Sequence, residues 1–595
     1  MNHRKELHSK IQKIKETDSK NGHRFLILIG IIILIGLLTL IQLFRLQVVQ
    51  ARKYNSKALG QYVDTSAKPF DRGTIYFTQK DGTLISAASV MSGYKVAINP
   101  TLVKDPENLY ATLLPYLGEM TKEEFMKRVT KSDDTYEEIA FRLNQSQATS
   151  VKALKIQGVT TYPENWRIYP GGRLASQVLG FVGFKGNVFS GQYGLERQYN
   201  EILSPRASSP FVNFFAEVFS NIDTDPENEN DESKANTQLG HVVTTIEPTV
   251  QGYLEKSLAE LRETWGSESV GGVIMDPHTG EIIALANLPD FNPNQFNKEK
   301  DPRSFANPIV ESVFEMGSVV KILTMTAGLD AGVINPDTFY TDTGSVKLNT
   351  ETIYNARRKS YGYVSMQDVL DKSLNTGATF IMQKLGRQKF REYFYAFGLK
   401  QKSEIDLPNE VSNLVKNLDV NRDIEYATAS FGQGIAMTPI STIRAFSAVA
   451  NGGYLVRPHV VKEIRYEDGT KKITPIEKGD PILKPDTTER ISGMLKKVVD
   501  SALLGGAYKL PNHTAAAKTG TAQIADAKGG YLEDVYLHTM VSYFPAYETR
   551  YIVYIYNMKP RADDFAAQTL APISMDLGQF LMTYYNVPGD REIKK

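Results

Sequence analysis

At 595 residues, 42% of them hydrophobic and 23% charged, the chain is long enough for two or more globular cores. A formal net charge of +1 leaves no electrostatic footprint for nucleic acid. The absence of cysteine excludes a disulfide framework, a thiolate nucleophile and a cysteine-based zinc site.

Residues 1–24 are polar and carry seven basic side chains, and they read as a cytoplasmic tail. The run FLILIGIIILIGLLTLIQLF from Phe25 to Phe44 would span about 30 Å as a helix, the thickness of a bilayer's hydrocarbon core, and predicts a transmembrane helix over 25–46. It is too long for a usual signal core, and LFRLQVVQARK after it has no small-x-small cleavage site. Only Arg45, Arg52, Lys53 and Lys57 follow it closely, so the positive-inside bias predicts a cytoplasmic N-terminus and an exported remainder.

The next region, 47–240, reads as a pedestal of short strands. Within it Phe211, Phe214, Phe215, Val218 and Phe219 recur at helical spacing and would line one helix face, as core packing or else as a contact with the membrane or a partner helix. DTDPENENDESKANTQ, residues 223–238, has six acidic residues and no large apolar side chain, which predicts a flexible loop. From 241 to 587 the texture is that of a second domain. GHVVTTIEPTVQGYLEKSLAELRE predicts a strand, a turn at Glu247-Pro248 and an amphipathic helix, and GGVIMDPHTGEIIALAN predicts a hairpin turned at Pro277 to Gly280. Residues 588–595 form a short tail. The fold class expected is multidomain α+β, with helices packed on an antiparallel sheet.

Three polar motifs follow one another in the second domain. Ser-x-x-Lys, with a chance expectation of about three in such a chain, occurs twice. Ser92-Gly-Tyr-Lys95 lies in a strand-like stretch that would put Ser and Lys on opposite faces. Ser318 instead opens a predicted helix, with Lys321 one turn along on the same face. A serine hydroxyl becomes a nucleophile when a nearby base takes its proton, and a desolvated lysine beside another cation can be that base. Ser373-Leu-Asn375 offers a hydroxyl to relay a proton and an amide to bind a carbonyl, or else a turn or helix cap. Lys518-Thr519-Gly520-Thr521, read as a strand, puts Lys518 and Gly520 on one face, where glycine would admit a substrate backbone and the lysine and threonines suit a carboxylate. The bland alternative is a surface β-turn.

In their order these motifs resemble class B penicillin-binding proteins, the peptidoglycan D,D-transpeptidases, most closely the division-specific septal type. The likeness runs through Arg72-Gly73-Thr-Ile75, Asp81-Gly82, Tyr169-Pro170 to Gly180, Gly194-Leu195-Glu196, Met275-Asp276-Pro277, Phe431-Gly432-Gln433-Gly434 and Lys518 to Gln523. Departures are Met316-Gly-Ser-Val, where the family usually has Pro-Gly-Ser-Thr, and Tyr76-Phe77-Thr78 after Arg-Gly-x-Ile.

The resemblance implies Ser318 as the residue acylated by a stem pentapeptide with release of D-Ala, Lys321 as base, and Ser373 and Asn375 as relay and substrate contact. Lys518, Thr519 and Thr521 would hold the terminal carboxylate, and the Ser318 and Thr521 N–H groups would form the oxyanion hole. It implies no metal or cofactor. The implied partners are lipid II-derived glycan, β-lactam antibiotics, a membrane glycan polymerase of the shape, elongation, division and sporulation family, and other divisome or elongasome proteins. The implied location is the bacterial cytoplasmic membrane, with the catalytic domain outside. An elongation-specific enzyme shares every motif. A serine β-lactamase would need Glu-x-x-Leu-Asn, whereas Glu404-Ile-Asp-Leu407 runs into Pro408. A non-catalytic sensor or scaffold would have no need of intact motifs.

Overall fold

A computed structural model describes residues 72–185, 188–205, 238–348, 351–526, 529–561 and 565–591, with isolated positions between 34 and 45. Apart from those positions and Gln238, the expected tail and anchor, the phenylalanine stripe and the acidic stretch lie outside the described residues. Among the described residues no helix is long and apolar enough to cross a membrane. The chain divides into one unit over 1–69 and another over 70–595, and all that follows concerns the second.

Strands β1 (Ile75–Thr78) and β2 (Leu84–Ile98) form a hairpin whose turn uses Gly82 at φ +85° and the Asp81 carboxylate, which accepts the Thr83 N–H at 2.9 Å. Strands β3 (Glu137–Leu143) and β4 (Val159–Ile168) follow. The short helices between them are capped by Asp105, Thr121 and Asn144, the last two with capping boxes. These helices enclose a small core around Val96, Leu109, Phe125, Ile139 and Val151.

Strand β5 (Gly240–Thr244) leads into α1 (Pro248–Trp265), which starts where expected because Pro248 suits the first turn and the Glu247 carboxylate accepts the Val250 N–H at 2.7 Å. The expected hairpin is β6 (Ser269–Met275) with β7 (Ile282–Leu288), turned at Gly280, φ +82°. Helix α2 (Lys321–Asp330) is buried along its whole length, which makes it a central core helix. Helices α3 (Asn375–Leu385) and α4 (Pro439–Ala450) come next, then strands β8 (Val461–Tyr466) and β9 (Lys471–Ile473) and helix α5 (Pro485–Lys497). The chain closes with β10 (Ala516–Ala525), β11 (Tyr531–Phe544), β12 (Tyr551–Met558) and α6 (Ala566–Tyr584).

Two sheets organise the molecule. The five-stranded one is antiparallel throughout, in the order β10-β11-β12-β6-β7, with β10 at its edge. Helices α1 and α6 cover one face and join through the stacked rings of Tyr253 and Phe580, 3.9 Å apart. The seven-stranded sheet runs β9-β8-β5-β1-β2-β3 with β4 also on β2, so it mixes strands from both halves of the sequence. Its centre is the parallel pair β1 and β5, Ile75 opposite Val242, with Ile464 of β8 opposite Val242 on the other side.

The Arg72-Gly73 pair accounts for that junction. A Cβ on Gly73 would lie 1.8 Å from the Gly240 carbonyl oxygen, so only glycine admits β5 there. The Arg72 and Arg167 guanidiniums both grip the fully buried Glu196 carboxylate, at 2.6 and 2.7 Å. Burial alone would raise that carboxyl, but the two guanidiniums outweigh it and hold it below the ordinary glutamate range.

Candidate active site

The sequence between Met316 and Lys321 folds as a 3₁₀ turn, Gly317–Val320, running straight into α2. A helix starting near Ser318 was expected, and the difference is its tighter first turn. Gly317 sits at φ +61° with its N–H on the Gly432 carbonyl at 3.1 Å. Gly432 is at φ +83°, and a Cβ there would lie 2.2 Å from the Gly317 carbonyl oxygen, which assigns the Phe431-Gly432-Gln433-Gly434 motif to this interlock. The Glu315 carboxylate accepts the Gly434 N–H at 2.9 Å and the Tyr531 hydroxyl at 3.0 Å, while Thr539 Oγ1 donates to the Met316 carbonyl at 2.8 Å. The turn is thus clamped from three sides. Glu315 and Thr539 carry no motif-like signal in the sequence for this task.

Because α2 is a core helix, Lys321 is 1% exposed. Its Nζ lies 2.9 Å from Ser318 Oγ, 3.1 Å from Ser373 Oγ and 2.6 Å from the Ser373 carbonyl oxygen. Ser373 reaches that position through a left-handed backbone, φ +56°, just before α3. Lys518 Nζ is 3.1 Å from the same Ser373 Oγ and 3.0 Å from the Thr519 carbonyl oxygen. The Ser373 hydroxyl is therefore shared by two lysines, and Ser318, Lys321, Ser373 and Lys518 form one hydrogen-bonded chain. Desolvation, with the Lys518 charge adding to it, pushes the Lys321 ammonium well below the ordinary lysine value. Desolvation likewise lowers Lys518 to about 8, against the opposing pull of Asp371.

The Lys518-Thr-Gly520 motif is a strand, as one of its two readings expected. Lys518 and Gly520 share the face toward Ser318, and Gly520 stands opposite Thr539 in the sheet. What approaches Gly520 is the chain's own turn, since a Cβ there would lie 2.6 Å from the Met316 carbonyl oxygen and 3.2 Å from the Ser318 nitrogen. The missing side chain thus seats the Ser318 turn against the strand. Thr519 and Thr521 take the alternate face and are half-buried. The Thr521 Oγ1 accepts the Ala566 N–H at 3.1 Å, and its own proton stays free to donate. Asn375 opens α3 and donates from Nδ2 to the Tyr354 carbonyl at 2.9 Å. Glu404 lies elsewhere, exposed, with its N–H on the Glu410 carboxylate at 3.1 Å. Among the described residues no cluster could hold a metal ion.

Comparison with known proteins matches residues 270–576 to the penicillin binding protein transpeptidase domain and 67–217 to the penicillin-binding protein dimerisation domain. The chain is 28% identical to the penicillin-binding protein PbpB of Mycolicibacterium smegmatis, over 92% of this chain and 88% of that one. It is 29% identical to the stage V sporulation protein D of Bacillus subtilis, over 92% and 83%. The apo crystal structure of penicillin-binding protein 3 from Mycobacterium tuberculosis is similar at 28% identity, with a TM-score of 0.63 over 72% of this chain and 92% of that one.

Proposed function

The chain belongs to the penicillin-binding protein transpeptidase family, and from that membership we propose that it is a class B peptidoglycan D,D-transpeptidase working through a Ser318 acyl-enzyme. The observation that carries this is the buried Lys321 Nζ, 2.9 Å from Ser318 Oγ, in a site that favours its neutral form. A neutral amine there accepts the hydroxyl proton as Ser318 Oγ bonds to the penultimate D-Ala carbonyl of a stem pentapeptide. The negative charge that develops on the carbonyl oxygen falls to the Ser318 and Thr521 N–H groups, an arrangement in which one donor is worth about 10²–10³ in rate.

Ser373 Oγ, equidistant from both lysine nitrogens, passes the proton to the leaving nitrogen. The C–N bond breaks, D-Ala departs, and an ester remains on Ser318. The amine of a second stem then attacks that ester, its proton returns through the same chain to Ser318, and a cross-link results. A β-lactam would enter by the first step, but its leaving nitrogen stays tethered. Asn375 would contact the substrate amide, and Thr519, Thr521 and Lys518 the terminal carboxylate.

We place this chemistry at the septum, in keeping with relatives that include a sporulation-stage protein matched along most of its length. The pedestal (47–240) and transpeptidase domain (241–587) enclose the two family matches, 67–217 and 270–576. Residues 25–46 would anchor both on the outer side of the cytoplasmic membrane, beside a glycan polymerase that supplies the uncross-linked strand.

Covalent labelling of the detergent-extracted protein by a fluorescent penicillin, wild type beside Ser318→Ala, tests the reading. A label that persists for an hour and is absent in the variant is the expected result. No label in the wild type would leave a scaffold, and a label lost within seconds would make it a β-lactamase.

A further inference from the structure

The turn Ala356–Arg358 and the residue after it carry three consecutive cations, Arg357, Arg358 and Lys359. One end of this segment is held from the Ser373-Leu-Asn375 side. Asn375 Nδ2 donates to the Tyr354 carbonyl at 2.9 Å, and the buried Asn355 donates to Asp342 Oδ1 (2.9 Å) and to the Lys359 carbonyl (3.2 Å) while accepting the Thr376 N–H (3.1 Å). The other end reaches the opposite wall. The Arg357 guanidinium lies 4.9 Å over the Phe565 ring, and the next residue, Ala566, donates its N–H to Thr521 Oγ1. The segment therefore links Asn375, two residues beyond Ser373, to Phe565, whose neighbour Ala566 bonds Thr521.

Arg357 and Arg358 both adopt left-handed backbone, φ +54° and +53°, a conformation that costs non-glycine residues about 1 kcal/mol or more each. The Asn355 network holds them in it. The cations rest on rings, Arg357 on Phe565, Arg358 on Tyr354 and Lys359 on Tyr361, and pair with no carboxylate among the described residues. Lys518, by contrast, is 4% exposed and has its Nζ committed to Ser373 and Thr519. A guanidinium on an aromatic face keeps its in-plane N–H donors for a carboxylate, and it cannot lose its charge.

We propose that Arg357 is a specificity-determining residue of the donor site, receiving the carboxylate that lies on the leaving-group side of the scissile amide or lactam bond, beside the Thr519 and Thr521 hydroxyls. This rests on the transpeptidase reading above. The pinned turn brings the fork into place before substrate arrives, so binding the carboxylate costs little further ordering.

The test compares second-order acylation rates of the full-length protein by benzylpenicillin and by its uncharged methyl ester. Arg357→Gly suits the left-handed backbone while removing the charge, Arg357→Lys restores a charge, and Arg358→Gly removes the same charge one residue away. Arg357→Gly is expected to lower the acid-to-ester rate ratio about tenfold or more, Arg357→Lys to recover part of it, and Arg358→Gly to leave it unchanged. An unchanged ratio in Arg357→Gly, or an equal loss in Arg358→Gly, overturns the assignment. A wild type acylated by neither compound would instead remove the transpeptidase reading, and this inference with it.

Discussion

Gly520 and Ser318 meet with no room for a side chain between them: the strand glycine's missing Cβ would stand 3.2 Å from the serine nitrogen. The turn of the proposed nucleophile is seated directly on the strand that would supply the other oxyanion donor. Gly520→Ala should therefore push the two apart, lowering penicillin acylation about 10²-fold while costing about 1–3 kcal/mol of stability. A labelling time course beside a thermal melt checks both. Wild-type acylation in the variant would show that the turn and strand need not be in register.

In the proposed mechanism, acylation requires a neutral Lys321 and, at its neighbour, a charged Lys518. With Lys321 displaced well below the ordinary lysine value and Lys518 at about 8, the acylation rate should rise on the acid side as Lys321 deprotonates. It should fall above about pH 8 as Lys518 does. Lys518→Arg should remove the alkaline limb. The measurement is the rate of penicillin labelling from pH 5 to pH 10, and an identical alkaline limb in the variant would take the assignment away from Lys518.

The same buried charge makes the site unstable. Lys518 titrates near 8 in the folded protein and near its ordinary value of 10.5 when unfolded, so between those values the unfolded chain binds more protons and stability rises with pH. Below pH 8 the full penalty, about 3 kcal/mol at most, is present. Lys518→Met should then be more stable than wild type at pH 7, with the gain fading toward pH 10.5, and should label poorly. Melting temperatures at the two pH values decide it.

Glu196 lies between Arg72 and Arg167, and all three are buried. Glu196→Gln leaves two guanidiniums without their counter-charge and should cost about 3–5 kcal/mol, read by urea melts. Because the native carboxyl titrates below the ordinary range, the wild-type advantage is complete above that range. It is lost as pH falls through the native value, so the two proteins should converge in acid. A constant difference down to pH 3 would mean that shape, and not charge, holds the joint.

What was readable in the sequence was local. Ser318 and Lys321 are one helical turn apart, Lys518 and Gly520 two strand positions apart, and the hairpin and α1 announce themselves by Gly280 and by Glu247-Pro248. What was hidden depends on partners far along the chain. Thr539 supports Met316 across 223 residues, and the Gly317 to Gly432 interlock is equally remote. A glycine on an edge strand invites close approach, but that the chain's own Met316–Ser318 turn is what packs against Gly520 is a tertiary matter with no local signal. The parallel pairing of β1 with β5 leaves no local periodicity to find.

That pairing bears on how the protein is made. Strand β1 emerges early, yet the strand beside it, β5, begins at Gly240, and β5 in turn waits for β8, which begins at Val461. During synthesis the growing sheet carries an open edge for most of the chain's length, the situation in which strands from separate molecules pair wrongly. A helper that shields extended segments would act on this interval, and the late arrival of β8 is the event that ends it.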